Sequence, residues 1–272
     1  MLPSTPPKRE LLMVGMSAKT YRIGNTVRKE CHVLVDDMGI TEQNMEACKN
    51  EADVYLILGS HPLIAKCLSI GPEKEYIELE YYPNGNLKEY VQKNCTRITE
   101  TDLKRWAYQM VESVAYIHSK GVRHSDFRLD QWLVDADLNA RLSDFNASGF
   151  DDQPDLGLKG KPAQGLEILS HYLPRDPEAD NTVESDLFAM GSTLYELLAG
   201  QTPYEGLSDE SIESCFRRGK FPSTEGLLLG DIIMGCWEKK ISSAKDILNY
   251  GKDVFRSKET KEADKTGERK DV

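Results

Sequence analysis

Histidine, serine and aspartate, the three residue types of a hydrolase triad, stand side by side at His124, Ser125 and Asp126. Adjacent residues cannot converge on one another as a triad requires, so this reading is dismissed. What is left is a set of carboxylates and a cation: Asp126 with Arg128 two residues on, and Asp144 eighteen residues after Asp126. Carboxylates can accept protons or hold hard cations, and an arginine can bind an anionic group.

Two motifs give these residues a context. The stretch 124–131, His-Ser-Asp-Phe-Arg-Leu-Asp-Gln, resembles H-R-D-L-K-P-x-N, the catalytic loop of protein kinases, and His124, Asp126 and Arg128 match in type and spacing. The stretch 144–146, Asp-Phe-Asn, resembles the metal-binding D-F-G motif. Either match alone is weak, but their order and separation make them strong together. The chain is similar to the protein kinase family, of the serine/threonine or tyrosine-kinase-like type, in a divergent non-RD form.

Further motifs extend the resemblance over roughly residues 11–248. Val27-Arg-Lys29 resembles the V-A-I-K lysine, and Glu51 fits the glutamate that pairs with it. Residues 78–87 look like the hinge that holds adenine. Ser185-Asp186 and Cys236-Trp237 resemble late motifs that favour the protein-kinase branch over a small-molecule kinase of the same fold.

The resemblance implies a catalytic role for four residues. Lys29 would hold nucleotide phosphates, and Glu51 would fix the position of Lys29. Asp126 would accept the proton of the attacking substrate hydroxyl, and Arg128 would steady the transferring phosphate. Arg128 stands where serine/threonine kinases carry lysine, which favours that class.

The same resemblance implies ATP and Mg²⁺ as cofactors and a protein as substrate. Asp144 and Gln131 would be the metal ligands, because Mg²⁺ prefers oxygen donors. An apolar adenine slot, a phosphate loop and hinge backbone groups would bind the nucleotide. These nucleotide-binding residues are Val14, Gly15, Val27, Lys29, Leu79, Glu80, Tyr82, Leu133 and Asp144. The implied function is transfer of the ATP γ-phosphoryl group to a Ser/Thr hydroxyl of a protein.

Several departures from the family pattern favour an alternative, a pseudokinase that serves as a nucleotide-binding or scaffold module with little or no phosphotransfer. Gln131 replaces Asn, Asn146 replaces the Gly of D-F-G, and only Gly15 remains of three loop glycines. Ser125 replaces the Arg that meets a phosphate on the activation segment, and residues 146–174 contain no threonine. We therefore hypothesise that activation-segment phosphorylation does not switch this protein on.

The A-P-E motif that normally follows the activation segment has two candidates, and the sequence does not choose between them. Gly165-Leu-Glu167 keeps the glutamate, whereas Leu173-Pro-Arg175 keeps the proline. The partner of the buried glutamate in the usual Glu–Arg pair is therefore open.

The elements that must position these residues follow from periodicity. Strand-like runs come first with one helix, 41–58, among them; Gly24-Asn25 predicts a hairpin turn, and Thr41 is the expected N-cap. After residue 82 the apolar stripes are mostly helical, as in 99–119 and 185–198. We predict an α+β, bilobal fold: a β-rich N-lobe over 11–81 and a mainly helical C-lobe over 82–250. Residues 1–10 would form a flexible arm and 251–272 a charged, disordered tail.

Composition limits the partners. A net charge of −11 argues against nucleic acid, because phosphate binding needs a basic face. No apolar run is long enough to span a bilayer, and the N-terminus lacks a secretory signal. The six cysteines contain no C-x-x-C pair, which indicates reduced thiols rather than a zinc site. We expect a cytoplasmic monomer that does not bind membranes.

Overall fold

The computed structural model describes residues 8–255, and within them the α+β class is confirmed. A five-stranded antiparallel sheet with one helix precedes a mainly helical part. The sheet-rich part comprises β1 (Arg9–Val14), β2 (Ala18–Ile23), β3 (Thr26–Cys31), α1 (Met38–Leu58), β4 (Cys67–Ile70) and β5 (Tyr76–Glu80). The helical part contains α2 (Leu87–Asn94), α3 (Glu100–Ser119), α4 (Val183–Ala199), α5 (Asp209–Arg217), α6 (Gly230–Trp237), α7 (Ala244–Tyr250) and α8 (Lys252–Phe255). Its short strands are β6 (Val122–Arg123), β7 (Trp132–Val134), β8 (Ala140–Leu142) and β9 (Gly149–Phe150).

The sheet order β1-β2-β3-β5-β4 places β3 in the middle. Its register with β5 sets Lys29 opposite Ile77 and Val27 opposite Leu79. Because side chains alternate between the faces of a strand, Val27 and Lys29 point to the same side of the sheet. The predicted hairpin turn joins β2 to β3, where Gly24 has a φ of 64°.

Helix α1 begins earlier than predicted. Its N-cap is Asp37, whose carboxylate accepts a hydrogen bond of 3.0 Å from the Ile40 amide, so the prediction of Thr41 as N-cap is wrong. Thr41 lies inside the helix, where its buried hydroxyl exchanges hydrogen bonds with the backbone of Leu34. Because Asp37 already accepts from a free amide of the first turn, the Thr41 hydroxyl is available to bind the backbone of the preceding loop.

The two long helices of the C-terminal part form as predicted. Helix α3 starts with a capping box in which Thr99 and Asp102 bond to each other's backbone amides. Helix α4 ends at Gly200, which adopts the left-handed conformation with φ 75°. The N-cap of α4 is Thr182, and Asp186 lies in the first turn of the helix. No predicted element corresponds to helix α2. Leu87 is its one buried residue, and its eight residues are too few for a sustained apolar stripe from which periodicity could predict it.

The predicted terminal segments lie largely outside the described residues. Residues 1–7 and 256–272 are not described, whereas β1 already begins at Arg9 and α8 occupies 252–255. The ring of Phe255 packs against Tyr108 at a centroid distance of 5.5 Å, which ties α8 to α3. No helix among residues 8–255 has the length and apolar character needed to cross a bilayer.

Candidate active site

A cleft of about 570 Å³ lies between the five-stranded sheet and the helical part. Strand β3, strand β5 with its following segment, and the loops around β7 and β8 supply its walls. Of the residues predicted to form the site, the cleft is lined by Val27, Lys29, Glu51, Leu79, Glu80, Tyr82, Arg128, Gln131, Leu133 and Asp144. The fold thus brings residues from distant parts of the chain to one cavity.

A lysine between two carboxylates forms the inner end of the cleft. The Lys29 Nζ lies 2.7 Å from Glu51 Oε2 and 2.5 Å from Asp144 Oδ1. Strand β3 presents the lysine, α1 presents Glu51, and the segment after β8 presents Asp144. Asp144 has a φ of 65°, a conformation that few non-glycine residues adopt. The lysine is therefore fixed by α1 and by the segment that follows β8.

The electrostatics of this trio follow from burial and from the shared cation. Burial lowers the pKa of Lys29, but the carboxylates of Asp144 and Glu51 outweigh it and raise the pKa above its usual value. Burial raises the pKa of Asp144, yet the Lys29 ammonium more than offsets this and the pKa ends below its ordinary range. For Glu51, burial prevails over Lys29 and raises the pKa. Of the two carboxylates, Asp144 thus stays ionised more readily than Glu51.

The second predicted carboxylate, Asp126, is bound by its own loop. Arg128 and Gln131 both donate to Asp126 Oδ2, at 3.0 and 2.9 Å. The other oxygen, Oδ1, is buried and has no hydrogen-bond partner among the described residues. Burial raises the pKa of Asp126, although Arg128 opposes the shift. A carboxylate with a raised pKa and an unpaired oxygen is suited to accept a proton.

The loop that carries Asp126 is held from below by α4. The buried carboxylate of Asp186 accepts hydrogen bonds of 2.9 Å from the backbone amides of both His124 and Ser125. The His124 ring also lies 3.0 Å from the Ser143 carbonyl oxygen and stacks on Phe127. Through these contacts Asp186 braces the loop, and His124 packs beside it as a structural residue.

Ser125, which replaces the family's arginine, is in tight contact with the segment between β9 and α4. Its hydroxyl, which carries a single proton, lies within donating distance of two carbonyl oxygens, those of His124 (2.6 Å) and of Ala147 (2.7 Å), the latter between β8 and β9. A Cβ added to Gly165 would lie only 2.0 Å from the Ser125 carbonyl oxygen, so a side chain at residue 165 would displace the backbone. Residue 165 therefore packs directly onto the catalytic-loop backbone beside Ser125.

The two alternative A-P-E positions turn out to be partners. Arg175 donates to Glu167 Oε2 at 2.6 Å, and the Glu167 side chain is fully buried. Burial raises the pKa of Glu167 to about 8, although Arg175 opposes the shift. The segment before α4 thus contains a buried Glu–Arg pair whose members are eight residues apart, and neither sequence reading alone included both.

The predicted hinge has a definite set of open backbone groups. The Glu80 amide already donates to the Lys66 carbonyl oxygen at 2.9 Å, and the Tyr81 amide donates to Asn25 at 3.0 Å. The Tyr82 amide has no acceptor among residues 8–255. A ligand at the hinge would therefore meet the Glu80 carbonyl oxygen and the Tyr82 amide.

Two residues predicted to bind the nucleotide lie elsewhere. Leu12 and Met13 line the cleft in place of Val14, which is about half exposed, and Gly15 is also absent from the lining. A register shift between residues 11 and 13 lets two consecutive residues of β1 face the same cavity. The cleft lining therefore does not include Val14 and Gly15, and their role in nucleotide binding stays a prediction.

One buried residue of the site was missed. The Asn50 amide on α1 lies 2.7 Å from the Ser148 carbonyl oxygen and 3.2 Å from that of Asn146. It joins α1 to the segment that follows Asp144. Its position directly before Glu51 was the available signal, but an asparagine inside a helix carries no chemistry by type alone.

Comparison with known proteins agrees with this architecture. The protein kinase domain family model matches residues 15–255. CBL-interacting serine/threonine-protein kinase 8 of Arabidopsis thaliana is 28% identical over 225 residues, which are 79% of this chain and 49% of the relative. Maternal embryonic leucine zipper kinase of Xenopus laevis is 28% identical over 232 residues, 80% of this chain and 33% of the relative. This chain therefore spans half or less of the length of these relatives, and it belongs to the protein kinase domain family.

Proposed function

We propose that this protein is a serine/threonine protein kinase that transfers the γ-phosphoryl group of ATP to a hydroxyl of a protein substrate. The observation that carries the proposal is the arrangement of Lys29, Glu51 and Asp144 at the inner end of the cleft, with contacts of 2.7 and 2.5 Å. Phosphoryl transfer depends on a positioned lysine–glutamate pair and a metal-binding aspartate. The name of the Arabidopsis relative, a serine/threonine-protein kinase, supports the class.

In this proposal each residue has a distinct task. Val27, Leu79 and Leu133 enclose the adenine, while the Glu80 carbonyl oxygen and Tyr82 amide bind its edge. Lys29 binds the phosphates. Asp126 accepts the proton of the substrate hydroxyl at its unpaired Oδ1, and Arg128 neutralises charge on the transferring group.

The residues present also fit Mg²⁺. Asp144 is ionised, and only one of its two carboxylate oxygens is bound to Lys29. The Gln131 side chain donates its amide nitrogen to Asp126, which leaves the Gln131 amide oxygen to coordinate a metal ion. Carboxylate and amide oxygens, completed by phosphate oxygens and water, are typical ligands of Mg²⁺. The bound ion would neutralise phosphate charge. Asp144 and Gln131 would hold it.

A pseudokinase remains the second candidate because of one contact. Gln131 is longer than the family's asparagine by one methylene, and its amide is directed onto the carboxylate of Asp126 at 2.9 Å. Arg128 donates to the same oxygen. If these bonds persist with nucleotide bound, Asp126 would be held as a structural group and phosphotransfer would be slow.

Incubation of the purified protein with labelled ATP, Mg²⁺ and a generic protein substrate tests the proposal. The wild type should transfer label to serine or threonine, whereas Asp126→Asn should lose most of this activity because its side chain cannot accept the proton. Melting temperatures with and without ATP and Mg²⁺ show whether each protein binds nucleotide.

The outcomes separate the two candidates. Transfer by the wild type that Asp126→Asn abolishes supports the kinase. Absence of transfer from both proteins, with ATP still raising the melting temperature, would favour the pseudokinase. No shift with ATP in the wild type would contradict nucleotide binding itself.

A further inference from the structure

Two departures from the family pattern meet across the cleft. Asn146, which stands in place of a glycine, donates a hydrogen bond of 3.0 Å from Nδ2 to the Ser17 hydroxyl. Ser17 belongs to the β1–β2 loop (residues 15–17), which retains a single glycine. The contact joins positions 129 residues apart. It connects the sheet-rich part of the chain to the segment that carries Asp144.

Both ends of this contact are supported. On one side, the Asn146 carbonyl oxygen accepts from the Asn50 amide of α1 at 3.2 Å. On the other, the β1–β2 loop is internally bonded: the Gly15 amide donates to the Ala18 carbonyl oxygen at 2.8 Å, and the Ser17 carbonyl oxygen accepts from the His32 amide at 2.8 Å. An ordered loop therefore meets an ordered turn, and the side chain of Asn146 bridges them.

The Asn146–Ser17 hydrogen bond lies close to the residues that would bind nucleotide phosphates. Asn146 follows Asp144 by two residues, and the strands that flank the loop line the cleft through Met13 and Thr20. The bond thus ties the loop to the segment that carries Asp144, next to the end of the cleft where Lys29 and Asp144 lie. A glycine at residue 146 would have no side chain to make this bond.

We propose that Asn146 is a positioning residue that, through Ser17, holds the β1–β2 loop closed over the phosphate end of the nucleotide site. The loop has lost the glycines that allow close backbone approach to phosphate, and the Asn146–Ser17 bond supplies closure by a side chain instead. The consequence for nucleotide rests on the proposed function: release of ADP requires the bond to open, so the bond slows release.

Stopped-flow release of a fluorescent ADP analogue, with Mg²⁺ present, tests this inference. Ser17→Ala removes the acceptor hydroxyl with little effect on the backbone, and Asn146→Gly restores the family's residue. Each should accelerate release about two- to tenfold, the value of one neutral hydrogen bond. The double variant should be no faster than the faster single variant, because both remove the same bond.

Two matched controls accompany the variants. Ser17→Thr keeps the hydroxyl and should retain the wild-type rate. Ser119→Ala removes an exposed hydroxyl that donates to the Tyr116 carbonyl oxygen at the end of α3, outside the cleft lining, and should also leave the rate unchanged. A wild-type rate for Ser17→Ala, or single effects that multiply in the double variant, would overturn the inference.

Amide hydrogen exchange of the ligand-free protein tests the bond without nucleotide. Loss of the bond in Ser17→Ala should accelerate exchange at the amides of Gly15 and His32, which donate to the loop carbonyls, and unchanged exchange would overturn the inference. A wild type that binds no ADP would refute the proposed function, while the exchange data would still decide whether Asn146 restrains the loop.

Discussion

Replacement of Glu167 by glutamine tests which force governs the buried Glu167–Arg175 pair. Arg175 donates to one carboxylate oxygen at 2.6 Å, while the other is buried without a partner among the described residues. Burial raises the pKa of Glu167 from 4.5 to about 8; Arg175 opposes this, and the charges of Asp186 and Asp126 add to it. Glutamine has the same shape and can still accept from Arg175, but it cannot ionise.

The sign and size follow from proton linkage. Between the unfolded pKa of 4.5 and the folded pKa of about 8, the folded state holds one proton more than the unfolded state. Unfolding free energy therefore falls as pH rises through this window. With about 1.4 kcal/mol per pKa unit, the wild type should lose about 2 kcal/mol between pH 6 and pH 8 through this group. Glu167→Gln should not show that loss.

Urea unfolding of both proteins at pH 6 and pH 8 measures the effect. Other titrating groups cancel when the change in the variant is subtracted from the change in the wild type. Glu213→Gln, which removes a partly exposed carboxylate that pairs with Arg217 but keeps Glu167, serves as the control and should show the same loss as the wild type. Equal changes in wild type and Glu167→Gln, or a wild type that gains relative stability at pH 8, would refute the reasoning and show that the ionised pair with Arg175 outweighs burial.

Three further predictions concern the catalytic loop and the core. Gln131→Asn, which restores the family's residue, should raise kcat with Mg²⁺ by up to about tenfold, or ~1.4 kcal/mol of barrier. An unchanged kcat in steady-state kinetics would mean that the longer glutamine side chain already holds Mg²⁺ as well as asparagine does. Asp186→Asn should leave a buried loop amide without an acceptor and cost about 1–3 kcal/mol in urea unfolding, and a loss well below that would contradict the bracing role. Phe216→Ala removes a ring that is 5% exposed and should cost about 3–5 kcal/mol, whereas Tyr250→Ala, at a 68% exposed site, should stay near 0.5 kcal/mol; similar losses for the two would contradict the packing argument.

Local physics explains which elements were predictable. The start of α3 was visible because Thr99 and Asp102 form a capping box within four residues, and the end of α4 was visible because Gly200 stops it. Helix α1 shows the limit of the same reasoning. Both Asp37 and Thr41 are good caps, and only the path of the incoming loop decides that aspartate caps the helix.

The candidate site also contains residues that the sequence predicted and residues that only the structure revealed. Motif spacing identified Lys29, Glu51, Asp126 and Asp144, and the fold brings Lys29, Glu51 and Asp144 together in the cleft with Asp126 on the adjoining loop. Which residues of β1 line the cleft was not predictable, because a bulge changes which side chains face inward and leaves no mark in residue type. The Glu167–Arg175 pair also needed the structure, since each residue alone matched a different half of one motif.

By itself, the sequence determined the family, the α+β class and the side chains available for chemistry. These depend on motif order, periodicity and caps, which act over a few residues. Tertiary structure decided which side chains meet: Lys29 and Asp144 are 115 residues apart, and Ser17 and Asn146 are 129 apart. The physical reason is that such contacts depend on how the sheet, α1 and the loops pack across the cleft, and packing is a property of the whole chain.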